Sequence, residues 1–204
     1  MGNLGIVYDA LGDYGRAIDF HQQYRDIVRA IGDRQGESLS FHNLGVAFRN
    51  LDDLTAAEQH FQASAHIQEA LHSHELSDAT RLSLLDSQQL TYRFWQMTLI
   101  DLGQPKAALT VAERGRAQAL AVSMTRALDR ETEASEPPIP LNLGQIQSIA
   151  VQQNATLVEY SVLSSGRILI WVIQPDGTIH ATETDAAALD DALVESTRQF
   201  ATLG

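Results

Sequence analysis

Few side chains in this 204-residue chain are suited to catalysis, and their spacing matches no common catalytic or metal-binding pattern. The sequence has seven histidines and no cysteine, which excludes a thiol nucleophile, a disulfide framework and a cysteine zinc site. His72 and His74 would point to different faces of a helix, and no carboxylate cluster accompanies them. G-x-S-x-G, H-E-x-x-H and phosphate-loop motifs are absent from the sequence. We therefore predict no catalytic residue, no metal site and no cofactor in this chain, and interpret these two histidines as solvated loop residues.

The side chains better suited to function are polar residues that could bind a partner. The segment "NLGIVYDALGDYGRAIDF" (3–20) returns as "NLGVAFRNLDDLTAAEQHF" from residue 43, so that Asn3 and Asn43 are equivalent. A side-chain amide can pair with a partner's main chain whatever the partner's sequence. The predicted peptide-binding residues are Asn3, His42, Asn43, Arg49 and Asn50. The alternative for the two equivalent asparagines is that they only join neighbouring helices.

The elements that position these residues are predicted to be helix hairpins. Each copy has an apolar stripe at helical spacing (Leu4, Tyr8, Leu11, then Leu44, Phe48, Leu51), followed by a Gly-Asp or Asp-Asp turn and a second helix. Gly12 suits a left-handed position after the first helix, and Asp13 can cap the second. Gly5 and Gly45 should let the two helices of a hairpin approach closely, with Ala17 and Ala57 opposite.

The second copy resembles the tetratricopeptide repeat in its Leu44, Gly45, Phe48, Ala57 and Phe61. Its period is 40 residues rather than the usual 34, and a third, degenerate unit ends in Leu-Gly at 102–103 followed by Pro105. We assign the repeats to about 1–34, 41–75 and 82–129. The resemblance implies a helix-hairpin solenoid that binds a protein or peptide partner in its concave groove.

An interior glycine marks the last predicted helix of this region, in "AERGRAQAL" (112–120). Glycine costs a helix roughly 1 kcal/mol relative to alanine, so close packing must compensate. Small residues (Ala108, Ala112, Gly115, Ala119) recur along one helix face. The motif resembles the junction between tetratricopeptide repeats and a CHAT domain, a caspase-like module. That resemblance assigns Ala112, Gly115, Arg116 and Ala119 to a domain junction.

The composition changes after residue 129. Residues 130–142 are acidic and hold three of the five prolines, which predicts a linker. Residues 143–153 are predicted to form a short helix, and "ATLVEYSV", "RILIWVIQ" and "TIHATET" two or three strands. A final helix is expected from near Asp185, with Leu189, Leu193 and Phe200 on its apolar side. Residues 143–204 resemble the opening of a CHAT domain, so the expected fold is mainly α followed by a small, incomplete α/β segment.

The CHAT resemblance also implies what is missing. Its catalytic pair is a His in a His-Gly context and a Cys in an Ala-Cys context, whereas His180 lies in "TIHATET" and no cysteine is present. We therefore interpret the chain as the N-terminal piece of a repeat-plus-CHAT protein of the caspase-like peptidase type, and not itself an enzyme. The alternative is a self-sufficient adaptor that binds a peptide in its groove.

Charge and hydropathy limit the partners. The formal net charge of −12 repels phosphate backbones and anionic lipid headgroups, so we expect neither nucleic-acid nor membrane binding. No apolar run approaches the roughly 20 residues that span a bilayer, and no signal peptide is recognised at the start, so we predict a soluble, cytoplasmic protein. An unfinished sheet leaves open edges, which predicts self-association through it.

Overall fold

The computed structural model describes residues 2–71, 78–128, 139–163, 166–185 and 187. The chain divides into two compact units, residues 1–140 and 141–204, which we call the helical unit and the sheet unit. The predicted linker lies largely outside the described residues. So do His72 and His74, and the residues assigned to the apolar side of the last helix (Leu189, Leu193, Phe200).

The described part of the helical unit consists of helices that pack as antiparallel hairpins. They are α1 (Gly2–Ala10), α2 (Tyr14–Ala30), α3 (Arg34–Asn50), α4 (Leu54–Ala70), α5 (Asp78–Asp101) and α6 (Pro105–Leu128). Each helix contacts the next, and α3 also contacts α1 and α5. The first helices of the three hairpins therefore lie side by side. This arrangement confirms the predicted mainly helical, repeat-like architecture.

The turns after α1, α2 and α3 are short because each pairs a left-handed residue with a capping aspartate. Asp13, Asp33 and Asp53 accept hydrogen bonds from the backbone N–H three residues later, at 2.8–3.1 Å. Gly12 has a φ of 76°, and Asp52 holds the same position in the next hairpin with a φ of 64°. A side chain in this region is disfavoured, so the turn after α3 tolerates some strain that glycine avoids in the turn after α1.

Glycines bring the helices of the first two hairpins close together, as predicted, but the residues that face them are larger than expected. A Cβ on Gly45 would lie 2.6 Å from Cε1 of Phe61, and a Cβ on Gly5 would overlap the His21 ring. Ala17 and Ala57 are fully buried too. In each hairpin, the aromatic ring occupies the space that a side chain at the glycine position would fill. This contact sets the distance between the two helices.

The repeated leucines differ in burial according to the position of their helix. Leu44 is fully buried, because α3 is enclosed by α2 and α4 and flanked by α1 and α5. Its counterpart Leu4 is 47% exposed. Within the described residues, α1 contacts only α2 and α3 closely. The same sequence pattern therefore produces a core residue in one hairpin and a surface residue in the other.

The sheet unit contains α7 (Leu143–Gln153), β1 (Leu157–Val162), β2 (Arg167–Ile173) and β3 (Ile179–Asp185). The strands form an antiparallel sheet in the order β1-β2-β3, with Trp171 opposite Glu159 and Ala181. This confirms a small three-stranded sheet after the predicted helix. Asn142 and Gln145 form a reciprocal capping box that begins α7.

Only one face of this sheet is well buried. Leu169, Trp171 and Ile173 of β2 are buried, and α7, which contacts β2, buries Ile146 and Ala150. The opposite face carries Val158, Tyr160 and Val162 of β1, each more than half exposed. Their cross-strand neighbours on β2 are Val172, Ile170 and Ile168. A strand that is apolar on both faces is typical of sheets covered on both sides.

The helices of the described residues include none that is both long and apolar enough to cross a bilayer. The compartment of the protein stays a prediction.

The close glycine contact generates a stability prediction. Gly45→Ala should lower the free energy of unfolding by about 2 kcal/mol, because the added Cβ forces the Phe61 ring and α4 to move. Gly15→Ala is the matched control, since its Cβ would meet only Asp13 Oδ1 at 4.0 Å. It should raise stability by up to about 1 kcal/mol through helix propensity. Urea unfolding followed at 222 nm measures both; equal effects of the two substitutions would contradict the close-approach argument.

Candidate interaction surface

One face of α3 is left accessible by its four neighbouring helices. Exposed or half-buried residues recur on it every three or four positions, as expected for a single helix face. We call this set the α3 stripe; it comprises Gln35, Leu39, Asn43, Val46 and Asn50. Since α1 and α5 flank α3, the stripe runs along the middle of a surface built by the first helices of the three hairpins.

Three of the five predicted peptide-binding residues are accessible on these helices. Asn43 and Asn50 belong to the α3 stripe, and Asn3 is exposed on α1. The structure therefore places amide side chains on two neighbouring helices of the same layer. Their role in binding stays a prediction.

His42 lies between helices rather than on the stripe. Its ring is only 8% exposed and makes edge-on contacts with Phe61 and Phe94. Nδ1 is 3.0 Å from Oγ1 of Thr91, whose hydroxyl donates to the carbonyl of Ser87. Because that hydroxyl hydrogen is already used, His42 Nδ1 must be the donor. His42 thus joins α3 to α5, and its assignment to the peptide-binding set stays a prediction.

Burial also fixes the charge of His42. Removal of the ring from water disfavours the imidazolium and lowers the pKa of His42 to about 4. The side chain is therefore neutral at physiological pH, with Nδ1 protonated and Nε2 left as an acceptor. His42 therefore places no charge in the interior of the helical unit.

Arg49 is occupied by an ion pair. Its Nη2 pairs with Oδ2 of Asp101, which connects the ends of α3 and α5. Both side chains are largely screened from solvent, with 19% and 29% of their surfaces exposed. A partner that used Arg49 would have to share it with Asp101, so the predicted binding role would carry a structural cost.

Gly115 makes the close approach that its position in a helix predicts. A Cβ there would lie 3.3 Å from Cδ2 of Tyr92 on α5, and the Gly115 carbonyl accepts from Nε2 of Gln89 at 3.1 Å. The close neighbour is thus a helix of the same unit. Ala112 is buried and Ala119 half-buried. The assignment of this motif to a joint between domains stays a prediction.

The arginine next to Gly115 makes an interaction that sequence reasoning missed. Arg114 holds the Glu69 carboxylate through two hydrogen bonds of Nη2, 2.9 Å to Oε1 and 2.8 Å to Oε2. Tyr92 donates its hydroxyl to the same carboxylate, and Trp95 lies under the guanidinium at 5.3 Å. Burial raises the pKa of Tyr92 far above its usual value, so the hydroxyl stays a donor. This cluster ties α6 to α4 and α5.

The sequence carried only a weak signal for this cluster. Arg114 and Glu69 are 45 residues apart, and neither belongs to a recognisable motif pair. Arg116, which the junction hypothesis favoured, pairs with Glu113 one helical turn away, at 2.9 Å from Nε to Oε1. Neighbouring arginines on one helix therefore have different roles that only the packing of α4 distinguishes.

The neutral state of His42 generates a prediction about pH. The pKa of His42 is below that of a free histidine, so the unfolded chain takes up a proton before the folded chain does. The contribution of neutral His42 to the free energy of unfolding is therefore fully present above pH 6.5. It should fall by about 3 kcal/mol as the pH drops from 6.5 to 4. In His42→Gln, which keeps a donor for Thr91, the fall over this range should be smaller by that amount. Urea titrations of both proteins at several pH values measure the difference; parallel curves would contradict a buried neutral His42.

Comparison with known proteins matches the first two hairpins to a known repeat family. Models of the family described as "Tetratricopeptide repeat" match residues 1–35 and residues 39–75. These ranges correspond to the first hairpin and to most of the second. Among solved structures, no significant match is found.

Two curated relatives share much more of the chain. Tetratricopeptide repeat protein 28 of Mus musculus is 32% identical over 173 residues, which is 83% of this chain and 7% of the mouse protein. Its counterpart from Homo sapiens is 33% identical over 151 residues, 72% of this chain and 6% of the human protein. The chain thus spans a small fraction of the length of these relatives. Because the two family matches coincide with two observed helix hairpins, residues 1–75 of this chain contain two tetratricopeptide repeats.

Proposed function

We propose that the α1, α3 and α5 surface of this chain receives a peptide of a protein partner. That the repeats form a protein–protein interaction module follows from the family matches; the peptide and its location are the proposal. The observation that carries it is the α3 stripe, an accessible helix face bordered on both sides by helices of the same layer. Extended and helical peptides both bind to grooves of this shape.

The chemistry of the stripe suits a peptide rather than a charged polymer. The stripe itself carries amides and aliphatic side chains, with no formal charge. Asn43 and Asn50 can donate and accept, which matches the main-chain groups of a peptide in any sequence. Leu39 and Val46 can bury apolar side chains beside those amides. Arg49, paired with Asp101, would act here mainly by holding α3 and α5 in place.

We further propose that the chain is the N-terminal part of a repeat-plus-CHAT protein of the caspase-like type. The alignment with the mouse relative covers more residues than the whole helical unit contains, so the similarity must extend into the sheet unit. This chain supplies no catalytic pair for such a parent, because it has no cysteine and His180 is an exposed residue of β3. Its contribution to the parent would be to recruit a partner.

A self-sufficient adaptor is the alternative. In that case the apolar outer face of the sheet, with Val158, Tyr160 and Val162 exposed, favours association of two copies through the sheet unit. The outer edges of β1 and β3 are not paired with a further strand among the described residues. Both features support self-association in a chain that ends with this sheet unit.

Affinity enrichment with matched variants tests the peptide surface. The full chain and Asn43→Ala/Asn50→Ala are used as baits, with Gln59→Ala/Gln62→Ala as the control, since both glutamines are exposed on α4. We expect at least one partner to be lost tenfold or more with the α3 variant and retained with the α4 variant. Equal enrichment by all three baits would show that the α3 stripe does not bind the partner.

The mass of the endogenous protein tests the parent. A denatured mass far above 22.4 kDa, with a His-Gly and an Ala-Cys in the additional sequence, is expected if the chain is part of a CHAT protein. A denatured mass near 22.4 kDa would contradict the proposal of a larger CHAT protein and would favour the self-sufficient adaptor. Sedimentation of the same native sample then reports whether two copies associate.

A further inference from the structure

A small cavity opens beside the α3 stripe, where α3, α5 and the end of α4 meet. Its volume is about 90 Å³. Leu39 and Leu90, which are 46% and 41% exposed, stand at its mouth. The buried residues Ser38, His42 and Gln68 line it more deeply. Two exposed leucines on different helices thus flank this indentation.

The described lining disfavours a charged occupant. None of the described residues around the cavity is charged, because His42, the titratable one among them, is neutral. An ammonium or carboxylate would lose hydration there without meeting an opposite charge. The surface offered by the cavity is mainly apolar. Its chemistry therefore favours an aliphatic side chain.

The volume restricts the size of that side chain. Roughly 30 Å³ is the share of one water molecule in the liquid, so the cavity is larger than a single hydration site. Engineered cavities that bind benzene measure about 150 Å³, which is clearly more than is available here. A branched aliphatic group fits this range, whereas an aromatic ring would require the helices to separate.

The position of the cavity links it to the proposed binding surface. Gln35 and Leu39 line the cavity and are also the first two members of the α3 stripe. A peptide lying along the stripe would pass directly over the opening, and Leu90 of α5 would contact it from the other side. The cavity therefore lies on the path of the peptide.

We propose that this cavity is an anchor pocket for a leucine, isoleucine or valine side chain of the partner peptide. The proposal rests on the proposed function and adds a selectivity to it. Asn43 and Asn50 pair with the peptide main chain without regard to sequence, while the pocket selects an aliphatic residue near one end of the stripe. Leu39 and Leu90 close over the inserted side chain and shield it from water.

Short peptides test the pocket on the full chain. The probes are N-acetylated, C-amidated Gly-Ser-X-Ser-Gly peptides with X as Leu, Phe or Lys, and the measurement is the methyl NMR shift of Leu39 and Leu90. We expect saturable shifts with the Leu peptide and at least tenfold weaker binding of the Phe and Lys peptides. Absence of saturable binding, or equal binding of the Leu and Phe peptides, would overturn the pocket.

Matched leucine variants locate the binding. Leu90→Gln should weaken the binding of the Leu peptide at least tenfold. Leu51→Gln should leave that binding unchanged, because Leu51 is 50% exposed at the turn after α3 and does not line the cavity. Circular dichroism at 222 nm confirms that both variants keep their helices. An effect of Leu51→Gln equal to that of Leu90→Gln would show binding outside the pocket.

The two proposals fail separately. If the Leu peptide does not bind but Asn43→Ala/Asn50→Ala still loses its partner, the pocket is wrong and the peptide surface stands. If the asparagine variant keeps every partner while the Leu peptide binds, the pocket exists apart from the proposed groove. Loss of both results removes both proposals.

Discussion

The seating of the Phe61 ring on Gly45 is the contact on which the helical unit depends most. It brings α3 and α4 close enough for Ser38 and Ser64 to exchange hydrogen bonds, with Ser64 Oγ 2.9 Å from the Ser38 carbonyl. The same ring lies 5.7 Å from His42 and 5.8 Å from Phe94, so it also positions α5. A change in this distance would be transmitted to three helices at once, because packed interiors do not deform continuously.

The accessible face of α3, which is the proposed interaction surface, is a consequence of that packing. With α4 held against one side of α3 and α5 drawn in through His42 and Thr91, the opposite face of α3 is left as the α3 stripe. The cavity beside Leu39 lies where α3, α5 and the end of α4 meet but do not fill the space. The α3 stripe and the cavity therefore both result from the packing of α4 and α5 against α3. A partner bound along the stripe would also contact the cavity.

Polar side chains at the helix contacts contribute mainly by defining how the helices are arranged. The Glu69 carboxylate accepts hydrogen bonds from Arg114 and Tyr92. Arg49 forms an ion pair with Asp101 at the C-terminal end of α5. Removing one member of such a cluster leaves the others without their partner in a poorly solvated place, which is costly. Each cluster joins the second hairpin to the third, so together they fix the orientation in which these two hairpins stack.

The sequence by itself determined the local elements, because the helical and strand periodicities of apolar residues and the Gly-Asp turns are local properties. The "NLG" copies predicted the first two hairpins, and "RILIWVI" predicted the central strand of the sheet. Tertiary structure decided which side chains of those elements are accessible. Asn43 and His42 are neighbours on one helix, yet one belongs to the α3 stripe and the other is buried against Thr91, since helix α5 covers only one of them. Arg114 meets Glu69 across 45 residues for the same reason: the contact requires three helices in place, and no local pattern encodes that distance.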